Sequence, residues 1–328
     1  MTHEARYGLI SDIHEDPRVI IQAITLLKAN GAEKLIINGD IGCVQGNLQN
    51  SQAYTEFILQ EVAKSDLEAF VQPGSHEPVI VYEPVIDHFS IKFPHRIINT
   101  LKVPKAELPD HHLVFLPGSD FLCGGEYQIG NQDVPSGKYF PTIEGLFRIK
   151  TLNEYADLLQ KGAPHGFHFS NMNDLKMHVT HPDKTVVICH VPRKFNNLET
   201  CVDMAEFGEV TEDFNLQSEQ VYKGAIFPSH IAIQIKRAGY PIQIKKENRG
   251  NSALADLYDE LGVVKSVTGH FHESSHRAND RNSNHVKEGQ YVRELFWNSG
   301  HLDKGYTGIL TVKGEEVKYQ NINLDIIK

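Results

Sequence analysis

Residues 34–40 read Lys-Leu-Ile-Ile-Asn-Gly-Asp, and runs of this kind constrain the fold more than any other feature of the chain. Leu35, Ile36 and Ile37 are continuously apolar, as in a parallel strand covered on both faces. Gly39 then permits a sharp turn, which leaves Asp40 at the carboxyl end of the strand. In an open α/β sheet ligands bind along that edge. Four more apolar runs end in metal-binding residue types. Residues 7–10 lead into Ser11-Asp12-Ile13-His14, and 69–72 into Pro73-Gly74-Ser75-His76-Glu77. Residues 185–189 lead into His190-Val191-Pro192, and 263–268 into Gly269-His270-Phe271-His272.

Helical patterns separate these runs. Asp16 reads as an N-cap and Pro17 as the first position of a helix that carries Val19, Ile20, Ala23, Leu26 and Leu27 and stops at Gly31. The opening is therefore a βαβ crossover, which places Asp12, His14 and Asp40 on one sheet edge. Further helices are expected from Ser51 to about Ser65 and over 81–93, with a strand at 113–116 before Pro117-Gly118. Residues 119–176 lose this regularity, and only 151–160 reads as a helix there. They are expected to form an insertion over the active edge, and 193–249 a second, irregular one. Ser252 is expected to cap a helix that ends at Leu261 with Gly262 behind it. Residues 273–287 are polar and read as exposed. Strands at 295–297, 308–312 and 317–322, at hairpin spacing, are expected to complete a second sheet. The expectation is one α/β domain over residues 1–328 with two insertions.

Composition narrows the class. Hydrophobic residues at 40% and charged residues at 23% suit a globular protein with a sizeable core. The formal charge of -10 disfavours tight non-specific nucleic-acid binding, which Lys and Arg supply by neutralising phosphates. Cys43, Cys123, Cys189 and Cys201 lack zinc-knuckle or disulfide-framework spacing. With no N-terminal apolar leader and no run long enough to span a bilayer, the expectation is a soluble protein of the reducing cytoplasm, without a membrane partner.

Eighteen histidines make any single one uninformative. Yet Asp12, His14, Asp40, Ser75, His76, His190, His270 and His272 all fall directly after expected strands, in turns that converge on one edge. Carboxylate mixed with imidazole suits Mn, Fe, Zn or Ni, whereas an all-oxygen set would suit Mg or Ca. Asp40 has two oxygens with which to bridge two ions about 3.5 to 4 Å apart, the spacing that clamps both oxygens of a phosphoryl displacement. Such ions lower the pKa of water enough to supply a hydroxide nucleophile at neutral pH.

Asp12-x-His14, Gly39-Asp40, Gly74-Ser75-His76-Glu77, His190 and Gly269-His270-x-His272 together resemble, in order, the five blocks of the calcineurin-like metallophosphoesterases. The resemblance implies a four-layer α/β/β/α sandwich with the two insertions forming a cap. It implies two divalent transition-metal ions, Mn foremost: one held by Asp12, His14, Asp40 and His272, the other by Asp40, His190, His270 and the residue at Ser75. His76 would protonate the leaving oxygen, oriented by Glu77. The implied activity is hydrolysis of a small phosphomonoester or phosphodiester, a nucleotide among the candidates. The alternatives are a nuclease of the same superfamily and a non-catalytic scaffold that keeps the fold.

Two departures matter. The family has Asn where this chain has Ser75, which predicts a second ion that is easily lost. After Asp40 the chain reads Ile-Gly-Cys-Val-Gln-Gly rather than the Asp-Arg-Gly of the family's Ser/Thr protein phosphatases, so that phosphate-gripping Arg is missing. Arg193, Lys194, Arg277, Arg281 and Lys287 are alternative phosphate holders, with solvated loop positions as the ordinary reading. Tyr127, Tyr139, Phe140 and Phe147 offer stacking surfaces for a nucleobase, with packing of the insertion as the ordinary use.

Overall fold

A computed structural model describes residues 4–42, 47–120, 125–142, 144–161, 168–216 and 219–325. In chain order it contains β1 (Ala5–Ile10), α1 (Val19–Ala29), β2 (Lys34–Asn38), α2 (Leu48–Lys64), β3 (Glu68–Gln72), α3 (Val79–Lys92) and β4 (Ile97–Asn99). There follow β5 (Lys105–Glu107), β6 (His112–Leu116), β7 (Gly137–Thr142), β8 (Gly145–Ile149), α4 (Leu152–Gln160), β9 (His168–Ser170), α5 (Leu175–His178) and β10 (Thr185–Cys189). Next come β11 (Met204–Val210), β12 (Phe214–Leu216), β13 (Glu219–Val221), β14 (Ile226–Pro228), α6 (Ser229–Arg237), β15 (Ile242–Asn248) and α7 (Ser252–Leu261). The last described elements are β16 (Lys265–Thr268), β17 (Ala278–Asn279), β18 (Leu295–Asn298), β19 (Tyr306–Lys313) and β20 (Glu316–Asn323).

The fold is mixed α/β, carried by two six-stranded sheets in the orders β20-β19-β1-β2-β3-β4 and β17-β18-β16-β10-β6-β5. β1 to β4 run parallel, as do β6, β10, β16 and β18. The strands that carry the site residues are apolar on both pleats because both of their faces are covered. Tyr7, Leu9, Ile36 and Phe70 of the first sheet pack in one cluster with Phe115, Ile188, Val267 and Trp297 of the second. The opposite pleat of the first sheet, with Ile10, Leu35, Ile37 and Val71, packs with apolar residues of α1, α2 and α3. The opposite pleat of the second, with Val114, Val187 and Cys189, packs with Leu254, Leu257 and Tyr258 of α7. Burying each such aliphatic side chain contributes about 1.5 to 3 kcal/mol, so the strand ends are held by a rigid frame.

Several expectations need correction. α1 starts at Val19 rather than Pro17, because the Asp16 carboxylate accepts from the Arg18 N–H in a turn that precedes the helix. α2 starts at Leu48, earlier than Ser51, because the Asn47 side chain accepts from the Gln49 and Asn50 N–H groups. The cap of α7 is Asn251, whose side chain accepts from the Leu254 N–H, and Ser252 is the first helical residue. The β19–β20 hairpin does not complete the second sheet. It pairs with β1, whose free edge lies opposite β2, so of these three strands only β18 belongs to the second sheet. Within 273–287, Ser274, Ala278, Asn279 and Val286 are buried, and β17 pairs with β18.

The two segments read as irregular have structure of their own. In 193–249, β14, β11 and β15 form an antiparallel sheet, and Ala232 and Ile235 of α6 pack with Val210 and Ile242 of that sheet. In 119–176, β8, β7 and β9 form another. Short, mostly polar strands conceal their pairing because no continuous apolar run marks them.

Candidate metal centre

The site forms where β1, β2, β3, β10 and β16 end. The loops after β1 and β2 are bonded to each other, with Asp12 N–H donating to Gly39 O at 3.2 Å and Ile13 N–H to Asp40 O at 2.9 Å. Asp12, Asp40 and His270 all hold left-handed backbone, with φ of 58°, 56° and 67°. That conformation is costly for residues with a side chain, and it turns all three into the same space. Gly39 is required there: a Cβ would lie 2.6 Å from Gly74 Cα and 2.8 Å from His190 Nδ1.

The side chains converge. His14 Nε2 and His272 Nε2 are 3.2 Å apart, and His272 Nε2 lies 3.2 Å from Asp12 Oδ1. His14 Nε2 is 3.6 Å from Asp12 Oδ1 and 3.8 Å from Asp40 Oδ2. His190 Nε2 is 3.0 Å from Asp40 Oδ2 and 3.8 Å from Asp12 Oδ1. Among the described residues three groups of donor atoms are compact enough to hold an ion: Asp12, His14 and His272; Asp40, His190 and His270; and His14, Asp40 and His76.

His190 is the most telling residue. Its Nδ1 lies 2.8 Å from the Asn38 carbonyl, which accepts only, so Nδ1 carries the hydrogen and a neutral ring has its lone pair on Nε2. That Nε2 is fully buried and makes no hydrogen bond of good geometry, yet it lies 3.0 Å from Asp40 Oδ2, an ion pair when the ring is protonated. A lone pair facing a buried carboxylate calls for positive charge between them, whether a proton or a cation. An imidazole whose other nitrogen donates to a backbone carbonyl is the usual form of a metal-ligating histidine. The donors present therefore fit a transition-metal ion.

The electrostatics agree. Burial disfavours the Asp12 and Asp40 carboxylates, but the facing imidazoles, His190 foremost, outweigh it and hold both well below the usual carboxylate range. Burial also opposes charging His14 and His190, yet the two aspartates raise them to about 9 and about 10. Burial, with His190 alongside, pushes His270 down to about 3. His76 is lowered, chiefly by burial.

Ser75 and Glu77 both brace the loops. The Ser75 hydroxyl donates to Asp40 Oδ2 at 2.9 Å, and the Ser75 and His76 N–H groups donate to Asp40 Oδ1 at 2.5 and 3.0 Å. Glu77 does not orient His76, because its two oxygens are engaged elsewhere, accepting from the Ile41 N–H at 2.6 Å and the Gly74 N–H at 2.8 Å. It ties the loop after β2 to the loop after β3. Burial, reinforced by Asp40, raises its pKa to about 7.

Sequence reasoning missed Asn38, Asp303 and His301. Asn38 positions His190 through its carbonyl and is a buried polar residue at the end of an apolar strand, the one sign it offered. Asp303 accepts from the His14 and Glu15 N–H groups at 2.9 and 3.1 Å. His301 stacks on His272. Their distance along the chain from the first blocks hid both.

Several phosphate-holder candidates are committed to packing. Arg193 is buried, makes a two-pronged pair with Asp259 and lies over the Phe195 and Phe296 rings at 5.3 and 5.6 Å. Arg277 donates to the Leu198 carbonyl, and Arg281 pairs with Glu294. Lys194 and Lys287 are exposed. Tyr127, Tyr139 and Phe140 are buried, while Phe147 is exposed. Cys189 and Cys201 are buried free thiols, and Cys43 and Cys123 lie outside the described residues. Among the described residues no helix is long and apolar enough to cross a membrane.

Among the solved structures that resemble the chain are two that do so along nearly its whole length. One is the crystal structure of TT1561 of Thermus thermophilus, 10% identical, with 97% of this chain and 99% of that one covered and a TM-score of 0.48. The other is 12% identical, with 98% of this chain and 100% of that one covered and a TM-score of 0.47. No family model and no curated protein matches the chain.

Proposed function

We propose that this chain is a metal-dependent phosphoesterase of the calcineurin-like metallophosphoesterase type, a four-layer α/β/β/α sandwich whose 119–176 and 193–249 segments cap the site. The observation that carries the reading is the buried Nε2 of His190, 3.0 Å from Asp40 Oδ2 and without a hydrogen bond, inside a cluster that also holds Asp12, His14, His270 and His272. One cation would be held by Asp12, His14, Asp40 and His272, and a second by Asp40, His190 and His270 with Ser75. Mn is the first choice, and Fe, Zn or Ni also suit the donor set. When bound, such ions supply positive charge that polarises a phosphoryl oxygen and acidifies water.

The chain's own residues do the rest. The Ser75 and His76 N–H groups fix Asp40 Oδ1 and the Ser75 hydroxyl fixes Oδ2, so the carboxylate cannot rotate away. Asn38 holds the His190 ring with Nε2 facing the centre. His76, with Nε2 3.9 Å from Asp40 Oδ2, carries the proton to the leaving oxygen. Its lowered pKa makes the imidazolium a stronger acid than a free one. The substrate is a small phosphomonoester or phosphodiester, with a nucleotide among the candidates.

The test is hydrolysis of bis-p-nitrophenyl phosphate and p-nitrophenyl phosphate by the Mn2+-loaded chain. Activity is expected, and Asp40→Asn or His190→Ala should abolish it. His76→Ala should cost more on esters with poor leaving groups than on p-nitrophenyl esters, and equal losses would remove the acid role from His76. Absence of both metal uptake and hydrolysis would leave a binding scaffold, and preferential cleavage of single-stranded DNA or RNA would make the chain a nuclease.

A further inference from the structure

We propose that His301 is the positioning residue of His272, a role that rests on the metal-centre reading above. His272 is the most exposed imidazole of the Asp12 group, its side chain 38% accessible against 19% for His14. The torsion that turns an imidazole about its Cβ–Cγ bond is broad, so solvent on one face would leave Nε2 free to swing. His301 closes that face. The two rings lie parallel within 4°, with centroids 4.1 Å apart.

His301 is itself held at both ends. Ser275 Oγ donates to the His272 carbonyl at 2.7 Å. A hydroxyl has one hydrogen, so at 3.1 Å from His301 Nδ1 the same oxygen accepts, which places the ring hydrogen of His301 on Nδ1. The Ser275 hydroxyl thus couples the backbone of His272 to the ring that covers its side chain. On the backbone side, His301 opens a short turn, Leu302–Lys304, that is bonded to the first block. The Leu302 N–H donates to Ser11 O at 3.0 Å, and Asp303 accepts from the His14 N–H at 2.9 Å. One turn near the end of the chain therefore grips the residues before and after Asp12 and lays a flat ring on His272.

Calorimetric titration of the metal-free full chain with Mn2+ tests this. The wild-type chain is expected to take up Mn2+, and His301→Ala to weaken one binding step by about tenfold or more, the usual cost of losing support behind a ligand. His301→Phe, which keeps a flat ring over His272, should restore affinity to within about threefold of wild type. His301→Leu, which keeps bulk without a flat face, should bind as weakly as His301→Ala. Wild-type affinity in His301→Ala, or a Phe variant as weak as Ala, overturns the proposal. Unfolding of both the Ala and Leu variants without metal would make His301 a folding residue and also overturn it. A wild-type chain that takes up no Mn2+ overturns the metal-centre reading itself, a different failure.

Discussion

Asp40 accepts from two backbone N–H groups and a hydroxyl, faces four histidines, holds a left-handed backbone conformation and is itself buried. Without metal, the charge it needs comes from protons on His14 and His190. Both have folded pKa values raised above the ordinary histidine value, to about 9 and about 10. Their contribution to stability is therefore complete below about pH 6.5 and is lost as pH rises through those raised values. Asp12 and Asp40 have the opposite sign: their lowered pKa values add stability above the ordinary carboxylate range, lost on acidification. Melting temperature measured in a chelator should fall between pH 7 and pH 10. A flat profile there would show that the imidazoles are not charged in the metal-free chain.

Among elements, the loops after β2 and β3 depend on Glu77, which bridges them with one carboxylate oxygen on each. Replacing Glu77 with Gln presents an amide N–H to one of two buried N–H donors, and an unsatisfied buried donor costs about 1 to 3 kcal/mol. Urea denaturation of Glu77→Gln should show that loss, with metal uptake weakened because Asp40 loses its brace. Unchanged stability and uptake would make the bridge incidental. The elements carrying these loops were legible as apolar runs bounded by turn residues, and β10 is found where it was read, at Thr185–Cys189. The observed helix starts differ from the expected ones by one to three residues. Asp16, Ser51 and Ser252 all suit a cap, but whether a side chain bonds the helix or a preceding turn depends on the backbone angle at which the chain enters.

For the molecule as a whole, a ligand that binds only the folded chain stabilises it by mass action, about 2.7 kcal/mol at a hundred times its dissociation constant. Mn2+ at that excess should raise the melting temperature of the wild-type chain by several degrees and leave Asp40→Asn unmoved. An equal rise in both would place the ion elsewhere. The strands, their order through the first βαβ unit and the donor residues at their ends could be read from residue order alone, because strand periodicity and turn chemistry are local properties. Partnership across long separations could not be read. The edge of β1 pairs with β19, some three hundred residues away, the Asn38 carbonyl sets the tautomer of His190, and His301 covers His272. Each of these depends on which distant segments meet in the folded chain, and no local pattern encodes that meeting.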